Sequence, residues 1–196
     1  MRVSREQAAQ NRQRIIEVAS KLFRERGFDG IGVADLMKSA GLTHGGFYGN
    51  FESKEGLMVE AAAHALAGSQ DRFKDAAERG GKNALSVVAS TYLSAAHRDH
   101  PGEGCALAAL GAEAARHDAP LRAAFTKSAG SMVELLTQLV PGKSKRAKRE
   151  RALATFASMV GAMVLARAVN DADLSAEVLK ATLAAVTRID SLSSTP

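Results

Sequence analysis

Apolar positions along the chain recur with helical spacing nearly throughout, and no run of alternating β-branched residues is long enough for a strand. Start and stop signals divide the sequence into about nine helices. The first is bounded by a capping box at Ser4 and Gln7 and by Gly27, a residue type that often ends helices. The pattern therefore predicts an all-α protein. The predicted helices cover residues 5–26, 33–39, 43–50, 53–78, 82–98, 104–116, 120–140, 144–170 and 175–190.

Residues 32–51 contain two short predicted helices separated by a turn at Gly41. Glycine permits the positive φ that a sharp turn between helices needs. Each helix has an apolar face too small to be covered alone, so we expect both to pack on the apolar stripe of the first helix. This pattern is typical of a helix-turn-helix, whose second helix can enter the major groove of DNA.

The residue types in the second of these helices suit contact with DNA. Thr43 and His44 begin it, where free backbone N–H groups favour phosphate, and Gly45 keeps the surface low. We expect Tyr48, Lys54 and Thr43 to position phosphates, and His44, Asn50 and the Gly45 surface to read bases. The alternative interpretation is a glycine loop beside a half-buried tyrosine. The predicted DNA contacts are Thr43, His44, Gly45, Tyr48, Asn50 and Lys54.

The stretches covering residues 14–28 and 33–58 resemble the DNA-binding domain of the TetR/AcrR family of transcriptional regulators, and the match extends over about residues 11–60. The resemblance implies an all-helical homodimer that represses or activates genes and leaves a DNA operator when a small molecule binds. The residues that carry it are Ala19, Leu22, Phe23, Gly27, Phe28, Leu36, Ala40, Gly41, Phe47, Tyr48, Phe51, Lys54 and Leu57.

The chain departs from the family pattern in and beside the second short helix. Gly32 and Gly46 each stand where the family usually has a threonine or serine. Gly49 and Asn50 stand where the family usually has a pair of bulky residues. The resemblance therefore does not predict which operator sequence the protein binds. We expect a DNA-binding domain over residues 1–52, a connecting helix over 53–80, and a domain for ligand binding and dimerisation over 81–196.

Dimer and ligand contacts are predicted in the second half of the chain. Small side chains at helical spacing in the 144–170 helix let another helix approach closely, and the last helix has a second apolar stripe. Both stripes could instead be intrachain core, and the family resemblance favours dimer packing. A mixed aromatic and methionine set suits an apolar pocket, although each member alone is more often core. The predicted dimer contacts are Ala157, Gly161, Leu165, Ala168, Leu179, Leu183 and Val186. The predicted pocket residues are Tyr92, His97, Leu107, Phe125, Met132, Phe156, Met159 and Met163.

Cys105 begins a predicted helix, where the helix dipole favours a thiolate. An oxidant or electrophile sensor is therefore an alternative regulator, although a packing role is the favoured interpretation. His97, His100, Glu103 and Cys105 lie close in sequence but match no standard zinc spacing, so we expect no metal and no cofactor.

The amino-acid composition narrows the classes of protein to which the chain could belong. A single cysteine excludes an intrachain disulfide, and the longest uncharged stretch, residues 152–166, is shorter than the roughly 18 residues that suggest a membrane span. We therefore expect a cytoplasmic protein without a membrane partner. The net charge of +5 permits polyanionic partners, and the basic run at 143–151 is interpreted as a solvated loop and first helical turn. No Ser-His-Asp pattern or phosphate-binding glycine loop indicates an enzyme, and an adaptor module is the third class.

Overall fold

The computed structural model describes residues 4–188, which fold into helices without a strand among them. The all-α prediction is thus confirmed. As predicted, Ser4 caps the first helix by accepting a hydrogen bond from the N–H of Gln7 (3.1 Å), and Gly27 ends it with a φ of +79°. The α-helical segments are α1 (Arg5–Arg26), α2 (Val33–Ser39), α3 (Lys54–Gly80), α4 (Ala84–Tyr92), α5 (Ala95–Asp99), α6 (Ala106–Ala114), α7 (Ala119–Leu139), α8 (Lys145–Ala168) and α9 (Ala172–Thr187).

Several predicted helix bounds are wrong, and capping residues explain two of the errors. The predicted 82–98 helix is interrupted after Tyr92, and α5 restarts because the Ser94 hydroxyl accepts a hydrogen bond from the N–H of His97 at 3.1 Å. The last helix starts three residues earlier than predicted, since the Asp171 carboxylate accepts a hydrogen bond from the N–H of Leu174 at 2.9 Å. The predicted 104–116 helix is shorter at both ends. The predicted end at Asp190 lies outside the described residues.

Tertiary contacts divide the chain into two units. The first contains the described residues through Ala67 together with Pro101–Phe125. In it α1 packs against α2, against α6 and against the turn at Pro101–Glu103. The apolar stripe predicted on α1 is therefore in the core of this unit. Its fully buried members include Ile15, Ala19, Phe23, Phe28, Leu36, Met37, Phe47, Leu57 and Leu110.

Hydrogen bonds and a ring contact join the segment Pro101–Phe125 to α1 and to Phe28, which follows α1. The Arg24 guanidinium donates to the carbonyl of Gly104 at 2.8 Å. Glu113 on α6 accepts a hydrogen bond from the N–H of Phe28 at 2.7 Å, and the His117 ring lies edge-on against Phe28. The segment thus groups with the amino-terminal part, whereas the predicted division placed it in the domain that begins at residue 81.

The second unit contains Gly68–His100 and the described residues from Thr126 onward. Here α8 packs along α9, α4 also contacts α9, and α5 contacts α8. The Arg167 guanidinium of α8 donates to the carbonyl of His97 at 2.6 Å. By length and composition α8 alone among the described helices could cross a membrane, and core helices of soluble proteins pass the same test. One face of α8 is indeed buried in this unit.

Replacing Glu113 should test how much α6 stabilises the end of α1. We expect Glu113→Ala to lower the free energy of unfolding by about 1–3 kcal/mol, because it leaves the N–H of Phe28 without its charged acceptor. Glu113→Gln is the matched control, since it keeps an acceptor oxygen and should lose less. Urea denaturation measures both. Equal unfolding midpoints for Glu113→Ala and the unmodified protein would contradict the assignment.

Candidate nucleic-acid interface

The turn after α2 has the geometry that its glycine predicts. Gly41 adopts a φ of +70°, and no heavy atom outside its chain neighbours lies within 4 Å of a Cβ built there. The N–H of Leu42 donates to the carbonyl of Met37 at 2.9 Å, which closes the end of α2. Any side chain at position 41 would be strained by the backbone conformation rather than by lack of space. The turn of the predicted helix-turn-helix is therefore present.

The second short element is not the regular helix predicted over residues 43–50. His44–Gly46 forms a single 3-10 turn, and turn-like backbone follows it to Asn50. The N–H of Phe51 donates to the carbonyl of Phe47 at 2.9 Å, so one helical hydrogen bond still forms. Each glycine costs roughly 1 kcal/mol of helix propensity relative to alanine. With glycine at positions 45, 46 and 49, the α-helix is not maintained. We call residues 43–50 the recognition segment.

The recognition segment is anchored by one aromatic side chain and presents the next. Phe47 is 1% exposed and stacks on Phe51, with ring centroids 5.7 Å apart. Tyr48 is 69% exposed, which excludes the alternative of a half-buried tyrosine. The Tyr48 ring lies edge-on to that of His44, with 6.2 Å between centroids. Tyr48 and His44 therefore lie on the same side of the segment.

The other predicted DNA contacts differ in how freely they are presented. Thr43 and Gly45 are exposed, and no heavy atom outside its chain neighbours lies within 4 Å of a Cβ built on Gly45. The Asn50 side-chain amide donates to the carbonyl of Gly46 at 2.7 Å, so it braces the segment itself. Lys54 is partly buried at the first position of α3. The side chains of Thr43, His44 and Tyr48 are thus the most accessible of the set.

Sequence reasoning missed the residue that supports this anchor from α1. The Arg12 guanidinium lies 4.7 Å from the centroid of the Phe51 ring and pairs with Glu60 of α3 at 2.6 Å. A cation over an aromatic ring is stabilising, and here it holds the ring that stacks on Phe47. Neither the spacing of Arg12 nor its charge distinguishes it from the other basic residues of α1. Only the tertiary arrangement identifies it.

A groove of about 470 Å³ runs beside the recognition segment. Its lining comes from the first turns of α1, from Met37 of α2 and from the recognition segment. Space exists here because the glycines of that segment carry no side chains. A Cβ on Gly46 would approach Met37 and Thr43 only to 3.6 and 3.7 Å, which is ordinary contact. The lining residues are Ala8, Asn11, Met37, Gly41, Leu42, Thr43, Gly46, Gly49 and Asn50.

The eight residues predicted to line a ligand pocket are divided between the two units. Leu107 and Phe125 pack with the core of the first unit. The other six belong to the second unit, where Tyr92 is fully buried. The Tyr92 ring lies 4.7 Å from that of His97, which is edge-on to it, and 5.2 Å from that of Phe73. The remaining members are Met132, Phe156, Met159 and Met163, all of them buried.

His97 has a perturbed environment. Its Nδ1 lies 2.6 Å from the carbonyl of Tyr92 and must carry the proton, since a carbonyl can only accept. The pKa of His97 is lowered from 6.5 to about 4, chiefly by burial, with a smaller contribution from the guanidiniums of Arg167 and Arg72, while the hydrogen bond to Tyr92 opposes the shift. The folded protein therefore holds His97 neutral at physiological pH.

The predicted dimer contacts separate into an exposed set on α8 and a largely buried set on α9. Ala157, Gly161 and Ala168 are exposed, and Leu165 is 56% exposed. On α9, however, Leu179 and Val186 are buried within their own chain, and Leu183 is partly buried. The α9 stripe thus corresponds to the intrachain alternative, because α9 packs along α8.

Cys105 and the neighbouring candidate metal ligands are not brought together as a site. Cys105 is buried at the residue before α6, in the first unit with Glu103, whereas His97 and His100 belong to the second. Within residues 4–188, no group of three or more histidine, cysteine or acidic side chains is placed to hold a metal ion.

Comparison with known proteins identifies the amino-terminal pattern. Residues 15–61 match the family model of bacterial regulatory proteins, tetR family. The chain is 28% identical over 130 residues to the HTH-type transcriptional repressor NemR of Escherichia coli K12, a match that covers 65% of each protein and so less than two thirds of the relative. It is 35% identical over 78 residues to the HTH-type transcriptional regulator TtgR of Pseudomonas putida, covering 40% of this chain and 37% of the relative.

Solved structures extend the similarity to most of the chain. The crystal structure of E. coli NemR in its reduced form has a TM-score of 0.75 and 25% sequence identity, covering 90% of this chain and 95% of that one. A TetR transcriptional regulator from Chloroflexus aurantiacus has a TM-score of 0.79 at 22% identity, covering 95% and 96%. The latter similarity concerns the fold alone.

The neutral His97 should make stability depend on pH. Because the folded-state pKa is lowered, the unfolded chain takes up a proton first, and stability is lost as the pH falls from about 6.5 towards 4. Between pH 7 and pH 5 the His97 contribution should be about 2 kcal/mol. Urea denaturation at both pH values should show a smaller loss for His97→Gln than for the unmodified protein. An identical loss in the two proteins would assign the pH dependence to other groups.

Proposed function

We propose that the chain, whose residues 15–61 match the family model of bacterial regulatory proteins, tetR family, is a dimeric DNA-binding repressor of that family that a small molecule releases from its operator. The observation that carries the proposal is the recognition segment, in which an exposed Tyr48 stands directly beside a buried Phe47. The names of the relatives describe regulators of transcription, which supports a function other than catalysis. Cytoplasmic location is part of the same proposal.

The recognition segment supports close approach to a duplex. Gly45 has open space around it, so the backbone can lie near the DNA. Tyr48 can offer its hydroxyl to a phosphate oxygen, and its ring can contact a sugar or a thymine methyl group. Thr43 and His44 flank the same surface. Asn50 supports the segment through its bond to Gly46, and Lys54 adds a positive charge at the start of α3.

Buried aromatic contacts keep this surface in place without a regular helix. Phe47 is held by Phe51, which lies against Arg12, and Arg12 is paired with Glu60. The segment is therefore positioned from α1 and α3 together. A ligand that changed the relation between those helices would move the DNA-contacting surface, which gives release by a small molecule a physical route.

The exposed face of α8 supports a homodimer. Leu153, Val164 and Leu165 are 48%, 45% and 56% exposed, and Ala157 and Gly161 lie between them in sequence. Large apolar side chains in such number on one helix are typical of an interface, and small residues among them let a second helix come close. A two-fold dimer presents two recognition segments to a palindromic operator, whose half-sites lie about 34 Å or a multiple apart.

The alternative regulator, which would sense oxidants or electrophiles through Cys105, has one favourable observation. Arg24 donates to the carbonyl of Gly104, which places a positive charge beside the residue that precedes Cys105. Since Cys105 is only 2% exposed, oxidation requires local opening, and this alternative ranks below release by a pocket ligand.

DNA binding should depend on Tyr48. We expect Tyr48→Ala to weaken binding to the DNA upstream of its own gene by about tenfold or more, since a charge-assisted hydrogen bond contributes about 1.5–3 kcal/mol. Tyr48→Phe removes the hydroxyl alone and separates the phosphate contact from the ring contact. Fluorescence anisotropy over a range of salt concentrations measures all three proteins. Unchanged affinity of Tyr48→Ala, with thermal unfolding also unchanged, would reject the assigned contact.

Dimerisation should depend on the exposed face of α8. Leu165→Glu places a charge on that face, and we expect it to yield monomers and to weaken operator binding together. Gln138→Glu is the matched control, because it adds the same charge at an exposed position of α7. Sedimentation velocity measures the oligomeric state, and circular dichroism confirms helicity. A dimer that persists in Leu165→Glu would place the interface elsewhere.

A further inference from the structure

The positive charge of the chain is concentrated at one end of one helix. Residues 143–151 contain six lysines or arginines and one glutamate, a net charge of +5 that equals the net charge of the whole chain. The other 187 residues contain 20 basic and 20 acidic side chains and are formally neutral. We call residues 143–151 the basic patch. It belongs to the second unit and is separate in sequence from the recognition segment.

Three of the six cations of the basic patch are available to a partner. Lys143, Lys145 and Arg149 are exposed, and within residues 4–188 none of them forms an ion pair. Only Arg146 is neutralised, by Glu150 at 2.8 Å, and both side chains of that pair are exposed. Arg151 is used internally, since its guanidinium donates to the carbonyl of Pro141 at 2.9 Å. Three unpaired charges thus stand close together on the surface.

The basic patch is also unfavourable for the helix that carries it. α8 begins at Lys145, with Ser144 as its cap, and its first turn contains no acidic residue. The N-terminal end of a helix has partial positive charge, so cations there destabilise it, and neighbouring like charges add repulsion. An anionic partner would relieve both effects. The arrangement is therefore better explained by a bound polyanion than by the stability of the isolated protein.

We propose that the basic patch is a second DNA-binding surface, which contacts the phosphate backbone of duplex DNA without regard to sequence and independently of the recognition segment. The choice of DNA as the polyanion rests on the proposed function, since a repressor works among a large excess of non-operator DNA. Lysine and arginine on an exposed surface match the regularly spaced charges of phosphates. Such a surface would hold the protein near DNA while the recognition segment samples sequences.

Removing the unpaired charges tests the proposal. The triple variant Lys143→Gln, Lys145→Gln, Arg149→Gln leaves the Arg146–Glu150 pair and the Arg151 contact in place. The matched control, Lys74→Gln, Lys82→Gln, Lys127→Gln, removes the same charge from scattered exposed positions of the same unit. Binding of each full-length protein to non-operator duplex is measured across salt concentrations by fluorescence anisotropy. Thermal unfolding accompanies each titration, and the patch variant should be at least as stable as the unmodified protein.

The expected result is a change in salt dependence. Each phosphate contact contributes about 0.9 to the slope of log K against log salt concentration, so the patch variant should lose about 2 to 3 from that slope while the control keeps the original value. Equal slopes in the patch variant and the unmodified protein would overturn the proposal. So would an equal loss of slope in patch variant and control, which would indicate net charge alone.

Two further measurements separate this proposal from its rivals. Vesicles of anionic lipid are tested by sedimentation, and patch-dependent vesicle binding with an unchanged DNA slope would assign the surface to a membrane instead. Operator DNA is titrated in parallel with Tyr48→Ala. If the unmodified protein showed no preference for its operator while the patch variant still lost slope, the proposed function would fail and the second surface would stand.

Discussion

The burial of Phe47 against Phe51 is the interaction on which the DNA-contacting surface depends. The recognition segment has three glycines in eight residues and forms only a 3-10 turn and scattered turn hydrogen bonds. Its own backbone preferences are therefore too weak to fix its conformation. Two stacked rings, one of them under the Arg12 guanidinium, supply that order from tertiary packing. Tyr48, the next residue, remains exposed with its ring edge-on to that of the buried Phe47, 5.3 Å between the two centroids.

The sequence predicted those parts of the fold that depend on local signals. Gly27 and Gly41 adopt positive φ at the ends of α1 and α2, and α3 is separated from α4 near the predicted break between the 53–78 and 82–98 helices. The recognition segment was predicted wrongly as a helix because its apolar spacing favoured one, whereas its three glycines oppose one. The break at Leu93–Ser94 was missed although Ser94 is a good cap, since apolar residues continue through it.

Long-range partners could not be predicted in the same way. Glu113 and Phe28 are separated by 85 positions, and no local pattern relates a carboxylate on α6 to a backbone N–H beyond α1. The same holds for Arg12 and Glu60, and for Leu107 and Phe125, whose apolar character suited a pocket as well as a core. For the candidate site, residue type and exposure were thus predictable at Thr43, His44 and Tyr48. The internal hydrogen bond of Asn50 was not, because it depends on the turn that replaces the helix.

The sequence of helix α8 provides two apolar faces and a charged end in a single helix. One face is buried against its own chain through residues such as Phe156 and Met159, and another exposes Leu165 beside small residues. Since both faces are apolar, the helix has the composition of a membrane span, although its surroundings in this unit are protein. Its charged residues, apart from Arg167 in the last turn, all lie in the first two turns. Positive charge is concentrated in those two turns, whereas the turns that follow carry two apolar faces. The helix thus has separate surfaces for packing within its own chain, for the proposed dimer and for the proposed polyanion.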